Sequence, residues 1–502
     1  MKEIYNGVFI SDDNDNINVI GDIHGDYQCL IHCLCDLCKV TIVDKIIDDN
    51  EFNTPNREHL SWIQGNNSVV VFCGDMIHRK RFDNILDDEC SDIYIIKTIL
   101  RLKNEAKKNG GDIIIISGNH EIINILYPED KSYISEKNVV ANLKYFYDNK
   151  FVNNYISNSY AFIKIDDSLI AHGGLCSDYL DCLDQFVVDN VDSIQKEDIV
   201  AHHRSERNNK KYYKINNNNN NNKNGKEDIQ EHILIGGMTL EYGDPIINFI
   251  NDKYQDFFKN VDRNNLSKDK ISYDLFINYN ASKKKEHNLF WCRQWGYNSD
   301  CGEMAHILSK VKCKKMIIAH CPQFLSPNEP KMINFECKIS EEGKEDDYTL
   351  ARVDLGMSRS FDENSDKNFL NYLFYNYNRK MSILKLVCHN NSIHFNYDSI
   401  VTKKLSCIQY LLIKYGLQEK DWKKNGICSN WKGFKYINQI MQQIKDDKHF
   451  NKKICKDVNY NNHNNKNKIE RGESSIICLL YPVMFNNKKI RSVHQYKSLK
   501  DT

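Results

Sequence analysis

Five short apolar runs, each closing on a small residue beside an acid, an amide or an imidazole, constrain the fold of this chain most. They read NINVIGDIHG, SVVVFCGD, GDIIIISGNHE, SLIAHGG and KKMIIAHCPQ. Brief runs rich in β-branched residues and bounded by Gly, Asp or Asn form strands buried on both faces. Between them lie segments with helical spacing of apolar residues, YQCLIHCLCDLCK after the first run and SDIYIIKTILRLKNEAKKNG after the second. The alternation predicts a layered α/β architecture, with central β-sheets flanked by helices.

Several stretches interrupt this pattern and are expected to be insertions. Residues 40–67 separate the first helix from the second strand, and 202–230 contain the asparagine tract NNNNNNNKNGKED. Such a tract has nothing to pack. The segment 330–349, with CKISEEGKEDD, reads as an exposed excursion. The expected organisation is a catalytic domain over residues 1–380 and a C-terminal extension of unknown role over 381–502.

Charge narrows the partners. The 68 basic and 68 acidic side chains cancel, so no broad field favours nucleic acid or an anionic membrane surface. The first residues, MKEIYNGVFISDDNDN, hold no apolar signal-peptide core, and no run approaches the roughly 20 apolar residues that cross a bilayer. An intracellular, cytoplasmic protein is expected, in the host cytoplasm if the source is viral. The 18 cysteines are then expected to be reduced and mostly in the core. A zinc knuckle from Cys29, Cys33, Cys35 and Cys38 is the weaker reading, because on a helix Cys35 faces away from Cys29 and Cys33.

In open α/β sheets functional groups collect beyond the carboxyl ends of the strands. Here those ends carry Asp22 and His24, then Asp75, then Asn119 and His120, then His172, and last His320. Any one of these is more often a turn or structural residue. Five such clusters in one chain are harder to explain that way. The mixture of oxygen and nitrogen donors suits manganese, iron or zinc. Two ions sharing a carboxylate, about 3.5–4 Å apart, would neutralise phosphate oxygens and acidify an attacking water.

The ordered set GDIHG at 21–25, GD at 74–75, GNHE at 118–121, HGG at 172–174 and AHCP at 319–322 resembles the calcineurin-like metallophosphoesterase superfamily. Within it the likeness is to serine/threonine phosphoprotein phosphatases, and among these to the Shewanella-like branch, with FWCRQWG at 290–296 and RVDLGMSR at 352–359 as further matches. The resemblance implies two divalent metal ions, manganese first and iron or zinc as alternatives. Asp22, His24 and Asp75 would hold one, and Asp75, Asn119, His172 and His320 the other. It implies His120 as the general acid, and Arg79 and Arg293 as the grip on the phosphoryl oxygens. Arginine's planar fork suits that task. The implied substrate is a phosphoprotein or a small phosphorylated molecule. The same core also serves bis-nucleoside polyphosphate hydrolases, and a catalytically weakened phosphoprotein-binding scaffold is a third reading. The sequence carries no signal for an oligomeric state.

One departure stands out. Where the family reads GD-x-x-DRG, this chain has Gly74, Asp75, Met76, Ile77, His78, Arg79 and Lys80. His78 replaces the aspartate that would support the catalytic histidine. A neutral His78 can still accept a hydrogen bond from His120, whereas a protonated one would repel an imidazolium. His120 is therefore expected to be a weaker acid, with alkyl phosphates affected more than aryl phosphates. Asp83 is a less favoured substitute partner.

Overall fold

The computed structural model describes residues 1–52, 54–65, 67–80, 90–134, 136–176, 179–180, 232–235, 238–241, 244–277, 288–297, 299–323, 333–339, 347–358, 377–389 and 392–404. The strands are β1 (Lys2–Tyr5), β2 (Val8–Ile10), β3 (Asn16–Ile20), β4 (Thr41–Asp49), β5 (Thr54–Trp62), β6 (Ser68–Phe72), β7 (Asp112–Ile116), β8 (Ser159–Tyr160) and β9 (Phe162–Ile165). They continue as β10 (Ser168–Ala171), β11 (His232–Ile235), β12 (Met238–Glu241), β13 (Lys315–Ile318), β14 (Asn334–Ile339), β15 (Asp347–Arg352), β16 (Tyr377–His389) and β17 (Ser392–Lys404).

Two large sheets form the centre. One runs β17-β16-β3-β6-β7-β8 and the other β1-β2-β9-β10-β13-β15-β14. Within the first, β3, β6, β7 and β8 are parallel; within the second, β10, β13 and β15 are parallel. The two-residue period of the strands shows why both faces are apolar. Ile17, Val19, Val69, Val71, Ile114 and Ile116 join Ile163, Ile165, Ile170, Ile317 and Ala351 in a core between the sheets. Their strand neighbours Ile20, Val70, Phe72, Ile113 and Ile115, with Phe162, Leu169, Met316 and Ile318, turn outward into a second cluster shared with the helices. Each such valine, leucine, isoleucine, phenylalanine or methionine, fully buried, contributes about 1.5–3 kcal/mol relative to exposure.

The helices supply the outer layers. Helix Ser91–Lys108 buries Ile93, Ile96, Ile99, Leu100 and Leu102 and packs on β7 and β5. Helix Asp244–Lys259 buries Ile246, Ile247, Ile250, Tyr254 and Phe258 and packs on β9. The segment after β3 starts as the α-helix Tyr27–Ile31, capped by Asp26 accepting from the Cys29 N–H. It then widens into a π-helical turn, His32–Leu37, with the Cys38 N–H donating to the Cys33 carbonyl at 2.8 Å. The turn keeps Cys33, Leu34 and Leu37 buried together.

Three expectations change. The boundary at 380 falls inside β16, which pairs with β3 through Leu384, Lys385 and Leu386 and so belongs to the central sheet. The segment 330–349 is not a free excursion among its described residues. There β14 pairs antiparallel with β15 and closes one edge of the seven-stranded sheet. Cys301 and Cys337 form a disulfide that ties helix Cys301–Lys310 to β14, where reduced thiols were expected. The free cysteines among the described residues are buried or half-buried. Within the expected insertion 40–67, β4 and β5 pair antiparallel outside both large sheets. The segment 202–230, Asp83 and the tail beyond 404 lie outside the described residues. Among the described residues no helix is long and apolar enough to cross a membrane.

Candidate metal centre

The carboxyl ends of the parallel strands in both sheets deliver side chains to one place. Asp22 and His24 follow β3, Asp75 follows β6, and Asn119 and His120 follow β7. From the other sheet His172 follows β10 and His320 follows β13. All seven are buried, none more than 6 % exposed, which few polar groups tolerate without partners.

The backbone is bent to achieve this. His24, Asp75, His78 and His320 adopt positive φ angles of 40°, 49°, 72° and 64°. Such strain, of order 1–3 kcal/mol per residue, persists only where the surroundings enforce it. Here the Ile23 and His24 N–H groups donate to the Asp75 carbonyl at 3.2 and 2.9 Å, binding the two strand ends together. Glu121, fully buried, accepts from the N–H groups of Asp75, Met76 and Gly118 at 2.9, 2.8 and 2.8 Å. Gly118 admits the approach: a Cβ there would lie 2.2 Å from Asp75 Oδ1.

Asp75 is the common member of two groups whose ligand atoms lie within 4.8 Å of one another, His24–Asp75–His120 and Asp75–His172–His320. Its Oδ2 is 3.3 Å from His172 Nε2, 3.7 Å from His120 Nε2 and 3.8 Å from His24 Nε2. Asp22 Oδ2 stands 3.6 Å from His24 Nε2, so Asp22 borders the first group. Asn119 Oδ1 stands 3.0 Å from His172 Nε2, so Asn119 borders the second.

These atoms fit a metal. His172 Nδ1 lies 2.8 Å from the Cys73 carbonyl, so Nδ1 carries the proton and Nε2 the lone pair in the neutral ring. That lone pair faces the oxygens of Asn119 and Asp75, an arrangement that calls for a cation or an added proton. Neither oxygen of Asp22 receives a well-formed hydrogen bond. Among the described residues no cysteine joins a group of this kind.

Electrostatics in the metal-free protein point the same way. Burial pushes the Asp75 carboxyl up, but His172, His120 and His24 outweigh it and hold it well below the usual range. At His172 burial opposes protonation, yet Asp75 raises the pKa overall. Burial, then Asp354 and Asp75, push Asp22 well above the usual carboxylate range. Glu121 is pushed up to about 7 by burial and Asp75, and Asp354 to about 6 by burial. Three carboxyls that are hard to ionise together mark a place for positive charge.

The remaining sequence candidates surround this centre. His78 Nδ1 is 2.6 Å from His120 Nδ1, so one ring donates and the other accepts. Tyr133, 36 % exposed, stacks on His78 with centroids 5.7 Å apart and meets His120 edge-on at 4.8 Å. Arg79 is buried beside Gly25, where an added Cβ would lie 2.9 Å from the Arg79 Cβ. Arg293 is exposed, with Nη1 3.8 Å from the sulfur of Cys321, the residue after His320.

Asp354, Glu121 and Tyr133 were not singled out as site residues from sequence. Asp354 had a signal, since β15 and the residue after it, ending LARV, also close on an acid with a glycine two residues on. Glu121 lay inside GNHE. Tyr133 had none, because a lone tyrosine in a loop is unremarkable.

Residues 16–262 match the family model described as Calcineurin-like phosphoesterase. Shewanella-like protein phosphatase 1 of Plasmodium berghei (strain Anka) is 28% identical over 174 residues, which is 32% of this chain and 40% of that protein. The chain thus spans two-fifths of the length of this curated relative. Among solved structures, the cold-active protein-tyrosine phosphatase of a psychrophile Shewanella sp. is 13% identical, with a TM-score of 0.41 over 78% of this chain and 82% of that one. Another structure of a cold-active protein tyrosine phosphatase is 14% identical, with a TM-score of 0.41 over 78% and 80% of the two chains.

Proposed function

We propose that the chain, whose residues 16–262 match the calcineurin-like phosphoesterase model, is a hydrolase that removes phosphoryl groups from phosphorylated protein side chains using two divalent ions. The observation that carries this reading is Asp75, one carboxylate common to two ligand groups. Asp22 and His24 would complete one ion's set with Asp75. Asn119, His172 and His320 would complete the other's, and manganese is the ion to supply first. When bound, such a pair lends positive charge to the phosphoryl oxygens and acidifies a water.

The chain's own residues do the rest. Arg293 at the exposed rim and Arg79 beside Gly25 hold phosphoryl oxygens with planar, paired donors. His120 carries the proton for the leaving oxygen at Nε2, the ring atom facing Asp75, because Nδ1 is engaged by His78. For His120 to be a cation with protons on both nitrogens, His78 must be neutral and accept at Nδ1. That partner stabilises the imidazolium less than an aspartate would. Aryl phosphates, which leave more readily, need the proton less. The arrangement therefore suits phosphotyrosine at least as well as phosphoserine or phosphothreonine.

The test compares phosphoserine, phosphothreonine and phosphotyrosine peptides with a bis-nucleoside polyphosphate on manganese-loaded protein. Phosphate release from peptides, abolished by chelation and restored by manganese, is the expected result. Peptides retained but not hydrolysed, or hydrolysis confined to the dinucleotide, would refute it.

A further inference from the structure

His78 and Lys80, the two departures in GDMIHRK, both reach the loop that follows the helix Asn119–Leu126. The His78 ring lies on that of Tyr133, with planes 20° apart and centroids 5.7 Å apart. Lys80 Nζ donates to the Lys131 carbonyl at 3.3 Å. The loop is also folded on itself. The Asp130 N–H donates to the Tyr127 carbonyl at 2.9 Å, and Asp130 Oδ1 accepts from the Ser132 N–H at 2.8 Å. On the other side of Tyr133, Ile134 is buried. Tyr133 thus stands between fixed neighbours, and little ordering of its ring remains to be done on binding.

Three rings are in mutual contact here. His78 and His120 meet edge to face with centroids 4.8 Å apart, and Tyr133 meets His120 edge-on at 4.8 Å. Tyr133 is 36 % exposed, against 0 % for His78 and 5 % for His120, so it lies on the solvent side of the group. With the leaving oxygen against His120, whatever that oxygen carries leads outward past this ring. In phosphotyrosine it carries an aromatic ring directly. In phosphoserine it carries one methylene and then backbone. Aromatic rings pair favourably at centroid separations of about 4.5–7 Å, beyond what their buried area supplies. Covering the two histidines would need only an apolar side chain, whereas a partly open tyrosine presents aromatic surface to the entering molecule.

We propose that Tyr133 is a specificity-determining residue: its ring forms one wall of the entrance beside His120 and packs against the aromatic ring of a phosphotyrosine substrate. The proposal rests on the reading that the leaving oxygen lies against His120, and it names the residue that separates aryl from alkyl phosphoesters at the binding step. This preference is distinct from the one set by leaving-group chemistry, because it acts on affinity and not on proton transfer.

The experiment uses the manganese-loaded full chain. Fluorescence anisotropy measures its affinity for peptides carrying non-hydrolysable phosphonate analogues of phosphotyrosine and phosphoserine, and phosphate release measures turnover of the matching phosphopeptides. Tyr133→Phe keeps the ring, whereas Tyr133→Leu keeps apolar bulk without it. The leucine variant is expected to lose about 2–12-fold in affinity for the phosphotyrosine analogue, the weight of one aromatic pair, with affinity for the phosphoserine analogue unchanged. The phenylalanine variant should match the parent on both. Equal losses on the two analogues would make Tyr133 a support for His78 and His120 and overturn the proposal. Unchanged affinity in the leucine variant, or a phenylalanine variant as weak as leucine, would overturn it too. Turnover isolates the underlying reading: a parent that binds the phosphotyrosine analogue but hydrolyses neither phosphopeptide loses His120 as a proton donor, while the affinities still decide the part of Tyr133. A parent that binds neither analogue overturns both. Should Tyr133→Leu not fold, Tyr133→Met carries the same comparison.

Discussion

Asp75 touches both ligand groups, and for that reason its loss should not resemble the loss of any single histidine. In Asp75→Asn the charge that His24, His120 and His172 share disappears while the shape remains. Manganese binding should fall at both sites, measured by ion titration, with phosphate release down by at least about 10²–10³-fold. Loss of a single ion would show that Asp75 is not shared. His120 is read by leaving group instead. His120→Asn should cost about 10²–10⁴-fold on phosphoserine peptides, with a much smaller loss on p-nitrophenyl phosphate. His78→Asp should raise turnover on phosphoserine and leave the aryl substrate unchanged. Equal effects on both substrates would remove His120 from proton donation. These residues were legible in sequence because each closes an apolar run with glycine or another small residue. His78 was legible as a substitution, but not its 2.6 Å contact with His120, which depends on a positive φ at His78.

At the scale of elements, the split of each strand into two apolar faces is what places the site. Ile114 belongs to the core between the sheets, while Ile113 and Ile115 belong to the outer cluster. Ile114→Ala should therefore destabilise the protein by about 2–5 kcal/mol in denaturant unfolding, without altering manganese stoichiometry. A loss of metal at unchanged stability would contradict this division. The strands and the helix after β6 were readable from periodicity, since buried parallel strands and amphipathic helices have distinct patterns. Membership of β16 in the sheet was not, because its pairing with β3 joins residues far apart in sequence. Among the described residues the longest ladder is β16 with β17. Deleting residues 377–404 removes Met381, Ile383, Leu384, Leu386 and Ile393 from the two cores. Cooperative thermal unfolding should be lost; a deletion variant that melts as the full chain does would restore the boundary at 380.

For the molecule as a whole, the buried charges couple folding to pH and to metal together. In the metal-free protein Asp354 is pushed up to about 6 and Glu121 to about 7, both chiefly by burial, from ordinary values of 3.8 and 4.5. A carboxyl with a raised folded pKa binds its proton more tightly when folded. Its stabilising contribution is thus complete below the unfolded pKa and is lost as pH rises through the folded one. Asp22, raised further, and His172, raised by Asp75, act in the same direction. Asp75 acts oppositely, but its depressed pKa places that effect below about pH 4. Metal-free protein should then lose stability between about pH 5 and 8, by an amount on the order of a few kcal/mol. Calorimetry at intervals of pH, with chelator, measures this as a falling midpoint. Manganese should reverse the trend, because bound ions compensate the ionised carboxylates and the protein must release protons to take them up. Across the same interval the metal-loaded midpoint should hold or rise, and binding should acidify an unbuffered solution. A metal-free midpoint that climbs with pH would mean these carboxyls are ionised in the folded chain without an ion beside them, and the centre would not need metal for its charge.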